Sequence, residues 1–159
     1  MIKKYQYLDK VNFPSDIKNL KISELKILAE EVRKEMTTKS GQRCTAVRRI
    51  FVPENKIEAV QKALQKALAQ TVIGSPLNAT VRMGSLAGES QRIEVKQQVQ
   101  KLLASSQIIY GALDSVNTVD ADAEKGAFMS PLLLLNENPL GSTDVHETEQ
   151  FGPVATLMH

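Results

Sequence analysis

The sequence holds one cysteine, no tryptophan and few aromatic residues of any kind. A single thiol cannot close an intramolecular disulfide, so the fold must rest on packing and hydrogen bonds alone. Aromatic residues make up 4% and the net charge is +2 with the signs interspersed, which leaves neither stacking platforms nor a basic stripe. Nucleic acid is therefore not an expected partner. No apolar run approaches the roughly 20 residues needed to span a bilayer, and the opening Met1, Ile2, Lys3, Lys4 and Tyr5 have no apolar core of the kind a secretory signal carries. No membrane association is expected, and the cytoplasm is the expected compartment. There is also no Gly-x-Gly-x-x-Gly turn and no Walker loop, hence no phosphate cradle of either common type.

What is present describes a folded domain. Over 159 residues, 42% hydrophobic and 24% charged is the balance of a soluble globular chain long enough to bury a real core. Near the N-terminus, Leu25, Leu28, Ala29, Val32 and Met36 share one helical face, with Ser23 as the expected N-cap. The charged face with Lys26, Glu30, Glu31, Arg33 and Lys34 is expected to be solvated, Glu30 and Lys34 standing at a favourable spacing for an ion pair. From Thr37 the character changes to a polar loop, followed by a β-branched run over residues 45–52 that ends at Pro53. Helical spacing of Ile57, Val60, Leu64 and Leu68 predicts a helix over 54–70, and Val95, Val99, Leu102 and Leu103 predict another over 89–104. Short strands are expected at 108–110 and 153–158, and the apolar run 128–135 suits a strand buried on both faces. Strands alternating with helices of this length predict an α/β layer with a largely parallel sheet.

The chemistry is concentrated in two runs. One is Gly41-Gln42-Arg43-Cys44-Thr45-Ala46-Val47-Arg48-Arg49-Ile50-Phe51-Val52-Pro53, and the other, about a hundred residues later, is Glu149-Gln150-Phe151-Gly152-Pro153-Val154. On residue type alone Cys44 is as readily a buried small hydrophobe as a nucleophile, Glu149 a surface charge and Phe151 a core ring. Arg48 and Arg49 are adjacent, so on a strand at most one would face a pocket, and structural roles are expected for both. His146 has no cluster of carboxylates or cysteines near it in sequence that would make a metal site.

In order and spacing the two runs resemble the aldehyde dehydrogenase superfamily. Met83-Gly84-Ser85-Leu86 and Gly126-Ala127-Phe128-Met129-Ser130-Pro131 between them resemble further segments of the same superfamily. Residues 36–158 are most similar to the PaaZ-type dehydrogenase of phenylacetate degradation. The resemblance implies an oxidoreductase in which Cys44 attacks an aldehyde carbon and holds the product as a thioester. It implies NAD or NADP as cofactor, with Glu149 binding the nicotinamide ribose and Phe151 packing against the nicotinamide. It also makes the backbone N–H of Cys44 a donor to the developing oxyanion. A CoA-linked semialdehyde is the substrate it suggests.

Residues 5–36 resemble instead the extreme N-terminus of 1-deoxy-D-xylulose-5-phosphate synthase, without any of that enzyme's cofactor motifs. The expected organisation is thus a helical segment over 1–36 followed by a partial aldehyde dehydrogenase catalytic domain over 37–159. The cofactor-binding domain, the asparagine of the oxyanion hole and the general-base glutamate of the whole family enzyme have no counterpart in the sequence. Two readings follow: a segment of an aldehyde dehydrogenase, or a truncated or chimeric fragment that folds without turnover. An uncovered edge or face on residues 132–135 would make self-association the expected consequence.

Overall fold

The computed structural model describes residues 4–159; the reading of Met1, Ile2 and Lys3 as part of the N-terminal segment lies outside the described residues. Four strands form one sheet in the order β1-β4-β3-β2, where β1 is Arg49–Phe51, β2 Gln107–Tyr110, β3 Leu132–Asn136 and β4 Val154–Met158. The pairs β1/β4 and β3/β4 are parallel and β2/β3 is antiparallel, which gives the largely parallel α/β sheet that the sequence predicts. Every residue of β3 and β4 is buried, because both strands are interior and both faces of the sheet are covered.

The period-two alternation of the two central strands divides the core into two layers. Leu133, Leu135, Ala155 and Leu157 face helices α2 (Ile22–Thr37) and α3 (Ile57–Leu68). Leu132, Leu134, Val154 and Met158 face α4 (Glu89–Leu102) and the short α5 (Asp144–Glu147). Val60, Leu64 and Leu68 recur every four residues along α3, and all three are buried as one stripe against α2 and the sheet. Full burial of one such leucine is worth roughly 1.5–3 kcal/mol. The alanines between them favour the helix without adding bulk to its outer face.

Helix α2 departs from the expected pattern at its start. It begins one residue before Ser23, with Lys21 as N-cap, and the Glu24 carboxylate accepts the Lys21 N–H at 2.7 Å. A short α1 (Pro14–Ile17) precedes it, its entry fixed by Asp16, which accepts the N–H groups of Asn12 and Phe13 at 2.9 Å each. The expected solvated face is only partly solvated. Glu31 is buried, where its carboxylate accepts the backbone N–H groups of Gln6 (2.7 Å), Tyr7 (3.0 Å) and Leu8 (2.7 Å). Glu30 pairs with Arg33 at 2.9 Å, three residues away, rather than with Lys34.

Glu35, one turn further along α2, is the meeting point of three donors: the Lys4 ammonium at 2.7 Å, the Tyr5 hydroxyl and the Arg43 guanidinium. Burial alone would push the Glu35 carboxyl up, but these hydrogen bonds and the Arg43 charge outweigh it and hold it at about 2, below its ordinary 4.5. A carboxyl depressed in the folded state stabilises the fold fully above pH about 4.5, and that contribution is lost as the pH falls towards about 2. It amounts to at most about 3 kcal/mol. Glu35→Gln is therefore expected to flatten the acid limb of a stability-against-pH curve between those two values, measured by urea denaturation. An unchanged limb would show that the cluster contributes nothing on folding.

Strand β3 also corrects one expectation. Residues 132–135 have no free edge or face, since β4 lies on one side, β2 on the other, and Leu132, Leu133 and Leu134 are fully buried. Edge positions belong to β1 and β2, so the reason given for self-association does not hold.

Candidate active site

The chain leaves α2 through three successive left-handed residues, Lys39 (φ 53°), Ser40 (φ 53°) and Gly41 (φ 71°), and this sharp turn launches the segment that carries Cys44. The turn is held from one side by the stretch before α4: the Ser40 hydroxyl lies 2.9 Å from the Gly84 carbonyl and 3.1 Å from that of Ser85. The Gln42 side-chain oxygen accepts the Ala87 N–H at 2.9 Å. From the other side Gly41 packs directly on the loop before β4. A Cβ there would overlap the Gly152 carbonyl and sit 2.7 Å from Pro153 N. The two motifs, distant in sequence, are thus in backbone contact at a point where only glycine fits.

Cys44 itself is exposed, which excludes a buried core thiol. It lines an open cleft of about 510 Å³ with Arg48, Arg49, His146 and Glu149. Glu149 is exposed, and one oxygen of its carboxylate lies 3.0 Å from the Arg48 guanidinium. Phe151 stands beside the cleft at φ 45°, 37% exposed as a residue, with its ring centroid 5.7 Å from the Arg48 guanidinium carbon. A positive φ on an aromatic residue costs about 1–3 kcal/mol and persists only where surrounding contacts impose it. Here Gln91 donates to the Phe151 carbonyl at 3.3 Å and Gly152 packs against Val95.

Two readings from sequence change. Arg48 and Arg49 both line the cleft, because β1 begins only at Arg49 and the alternation of a strand does not extend back to Arg48. Arg48 is also the residue that sequence reasoning undervalued: its guanidinium spans both motif loops, and the signal for it was its place four residues after Cys44. His146 is held structurally. Its Nε2 lies 2.8 Å from the Pro139 carbonyl, which can only accept, so Nε2 carries the proton and Nδ1 accepts from Arg49 at 3.3 Å. The imidazole also stacks on Phe51 with ring centroids 6.3 Å apart. Among the described residues no three His, Cys, Asp or Glu side chains converge as a metal site would require, and no helix is long and apolar enough to cross a membrane.

A larger groove of about 760 Å³ runs between α2 and α3, lined by Leu25, Ile57 and Ala63 among others. It holds none of the motif residues, so chemistry rather than size places the candidate site at the smaller cleft.

The model of the aldehyde dehydrogenase family matches residues 20–159. The chain belongs to the aldehyde dehydrogenase family. The family match includes the whole of α2. Among curated relatives, 3,4-dehydroadipyl-CoA semialdehyde dehydrogenase of Aromatoleum evansii is 36% identical over 135 residues, 85% of this chain and 26% of that protein. Sulfoacetaldehyde dehydrogenase of Neptuniibacter caesariensis is 25% identical over 118 residues, 74% of this chain and 24% of the relative. This aldehyde dehydrogenase chain thus spans about a quarter of the length of the curated relatives it matches. Its fold is that of solved family members. Aldehyde dehydrogenase C of Pseudomonas syringae superposes with a TM-score of 0.73 at 20% identity, covering 85% of this chain and 27% of that one. Betaine aldehyde dehydrogenase of Staphylococcus aureus, solved with NAD+, gives 0.73 at 20% identity, covering 86% of this chain and 26% of that one.

Proposed function

We propose that the chain is the nucleophile-bearing part of an NAD(P)-dependent aldehyde dehydrogenase acting on a small-molecule aldehyde in the cytoplasm. The observation that carries this reading is the meeting of Cys44 and Glu149 on one open cleft, with the Gly41 and Gly152 backbones in contact behind them. The Cys44 sulfur, as thiolate, adds to the aldehyde carbon, and the carbonyl electron pair moves to oxygen, facing the Cys44 backbone N–H. A bound nicotinamide nucleotide would supply the two-electron acceptor that turns this adduct into a thioester. Water then releases the acid and restores the thiol.

The residues present fit the nicotinamide end of such a cofactor. Glu149 offers an exposed carboxylate able to accept from two vicinal hydroxyls, and Phe151 is an exposed aromatic residue on the same loop. These two would hold it. The 36% identity to a CoA-semialdehyde dehydrogenase supports a CoA-linked semialdehyde as substrate, in keeping with the PaaZ-type resemblance.

A second reading, a chain that folds without turnover, is favoured by one specific contact. Glu149 is engaged by Arg48 and must share its carboxylate with any ribose it binds. Following nicotinamide reduction by absorbance, with purified chain, NAD+ or NADP+ and a CoA-linked semialdehyde, separates the two. Turnover that disappears in Cys44→Ser is the expected result for the enzyme. No reduction at saturating cofactor, with the chain folded, would establish the second reading.

A further inference from the structure

Arg48 makes contacts that neither its sequence neighbourhood nor the reaction assigned to Cys44 requires. One guanidinium nitrogen donates to the Arg43 carbonyl at 2.8 Å and lies 3.0 Å from the Glu149 carboxylate. The other lies 3.4 Å from each of the Cys44 and Ala46 carbonyls. The Phe151 ring closes the far side. The side chain is 15% exposed, so these bonds form largely out of water, where a guanidinium holding several acceptors is worth more than a surface ion pair. In effect one arginine gathers the carbonyls of the turn that carries Cys44 and ties them to the loop that carries Glu149 and Phe151.

Carbonyl direction fixes amide direction. Arg43 C=O and Cys44 N–H belong to the same planar trans peptide and point oppositely. With its carbonyl drawn to Arg48, this peptide turns the Cys44 N–H away from the guanidinium. That N–H donates to no acceptor among the described residues, nor does that of Thr45, whereas the Arg43 N–H and Ala46 N–H are both used within the turn.

We propose that Arg48 is a positioning residue that aims the Cys44 backbone N–H as an oxyanion donor; this rests on the reading of Cys44 as nucleophile. Arg48 touches no reacting atom. It sets the peptide plane next to the sulfur and couples that plane to the cofactor-facing loop.

The test compares two reactions of Cys44 in the full chain. With p-nitrophenyl acetate, the thiolate adds to the ester carbon, forming C–S while the carbonyl pair moves to oxygen. Collapse then expels p-nitrophenolate and leaves an acetyl thioester, the thiol proton having gone to solvent. This path develops an oxyanion, and alkylation by iodoacetamide, which displaces iodide at a saturated carbon, does not. In Arg48→Met the acylation rate constant is expected to fall about 10- to 100-fold, within the range for loss of an oxyanion donor, while alkylation changes less than about threefold. Arg48→Lys keeps the charge without the fork and is expected to recover only a small part of the acylation rate.

Equal falls in both reactions would mean that Arg48 merely supports the loop, and an acylation rate indifferent to both variants would remove it from the site. Either overturns the proposal. If Arg48→Met does not fold, the ratio of the two rates in Arg48→Lys decides. An intact chain whose Cys44 acylates no faster than a small free thiol overturns the nucleophile reading itself, a failure distinct from that of Arg48.

Discussion

Gly41→Ala is expected to destabilise the chain by about 2–4 kcal/mol, combining a left-handed backbone with a backbone clash. At φ 71° an alanine is strained before any neighbour is considered. Its Cβ would then overlap the Gly152 carbonyl and crowd Pro153 N, both backbone atoms that no rotamer change can move aside. Relief requires the loop carrying Cys44 to separate from the loop carrying Glu149 and Phe151, so loss of stability and loss of Cys44 acylation should appear together. Gly84→Ala is the internal comparison. Nothing lies within 4 Å of a Cβ at Gly84, and a change within about 0.5 kcal/mol is expected there. Urea denaturation of the two variants beside the parent reads the difference, and equal midpoints would show that the two loops are not locked at Gly41.

Leu134→Ala is expected to cost about 2–5 kcal/mol. Leu134 is fully buried on β3, facing α4 between two paired strands, so the removed methyl groups leave a void that the interior sheet cannot collapse to fill. Leu140→Ala, at a leucine 99% exposed, should lie within about 0.5 kcal/mol of the parent. The pair of variants distinguishes burial from leucine content. If thermal or urea midpoints moved equally, the sheet order that places β3 inside would be wrong.

The elements that were legible in the sequence are those whose pattern is local. The period of Val60, Leu64 and Leu68 identified α3, that of Val95, Val99 and Leu102 identified α4, and the apolar run 128–135 identified a strand buried on both faces, although only Leu132–Asn136 forms it. What was not legible depends on partners far along the chain. Glu31 reads as a solvated charge until the backbone of Gln6, Tyr7 and Leu8 wraps over it and supplies three donors. The Ser23 cap failed because Glu24 satisfies the Lys21 N–H and starts the helix two residues earlier. Strand β1 is shorter than the β-branched run suggests, since the turn around Cys44 uses the run's first residues and Arg48 spends its side chain on that turn. The two motifs were visible as motifs. Their contact through Gly41 and Gly152, and the arginine joining them, appear only when the chain is folded.

The same division holds for the site. Exposure of Cys44 and Phe151 could not be read from residue type, because both types are more often buried. The family resemblance implies a role for each, and the fold places Cys44 on the open cleft and the Phe151 ring 5.7 Å from the Arg48 guanidinium carbon.

The most direct measurement is the mass of the peptide containing Cys44 after the folded chain has been incubated with a CoA-linked semialdehyde and NAD+ or NADP+ and then quenched in acid. The expected result is an acyl group on Cys44, dependent on the nicotinamide nucleotide and absent from Cys44→Ser. An unmodified Cys44 that iodoacetamide still alkylates in the same sample would contradict its assignment as the nucleophile.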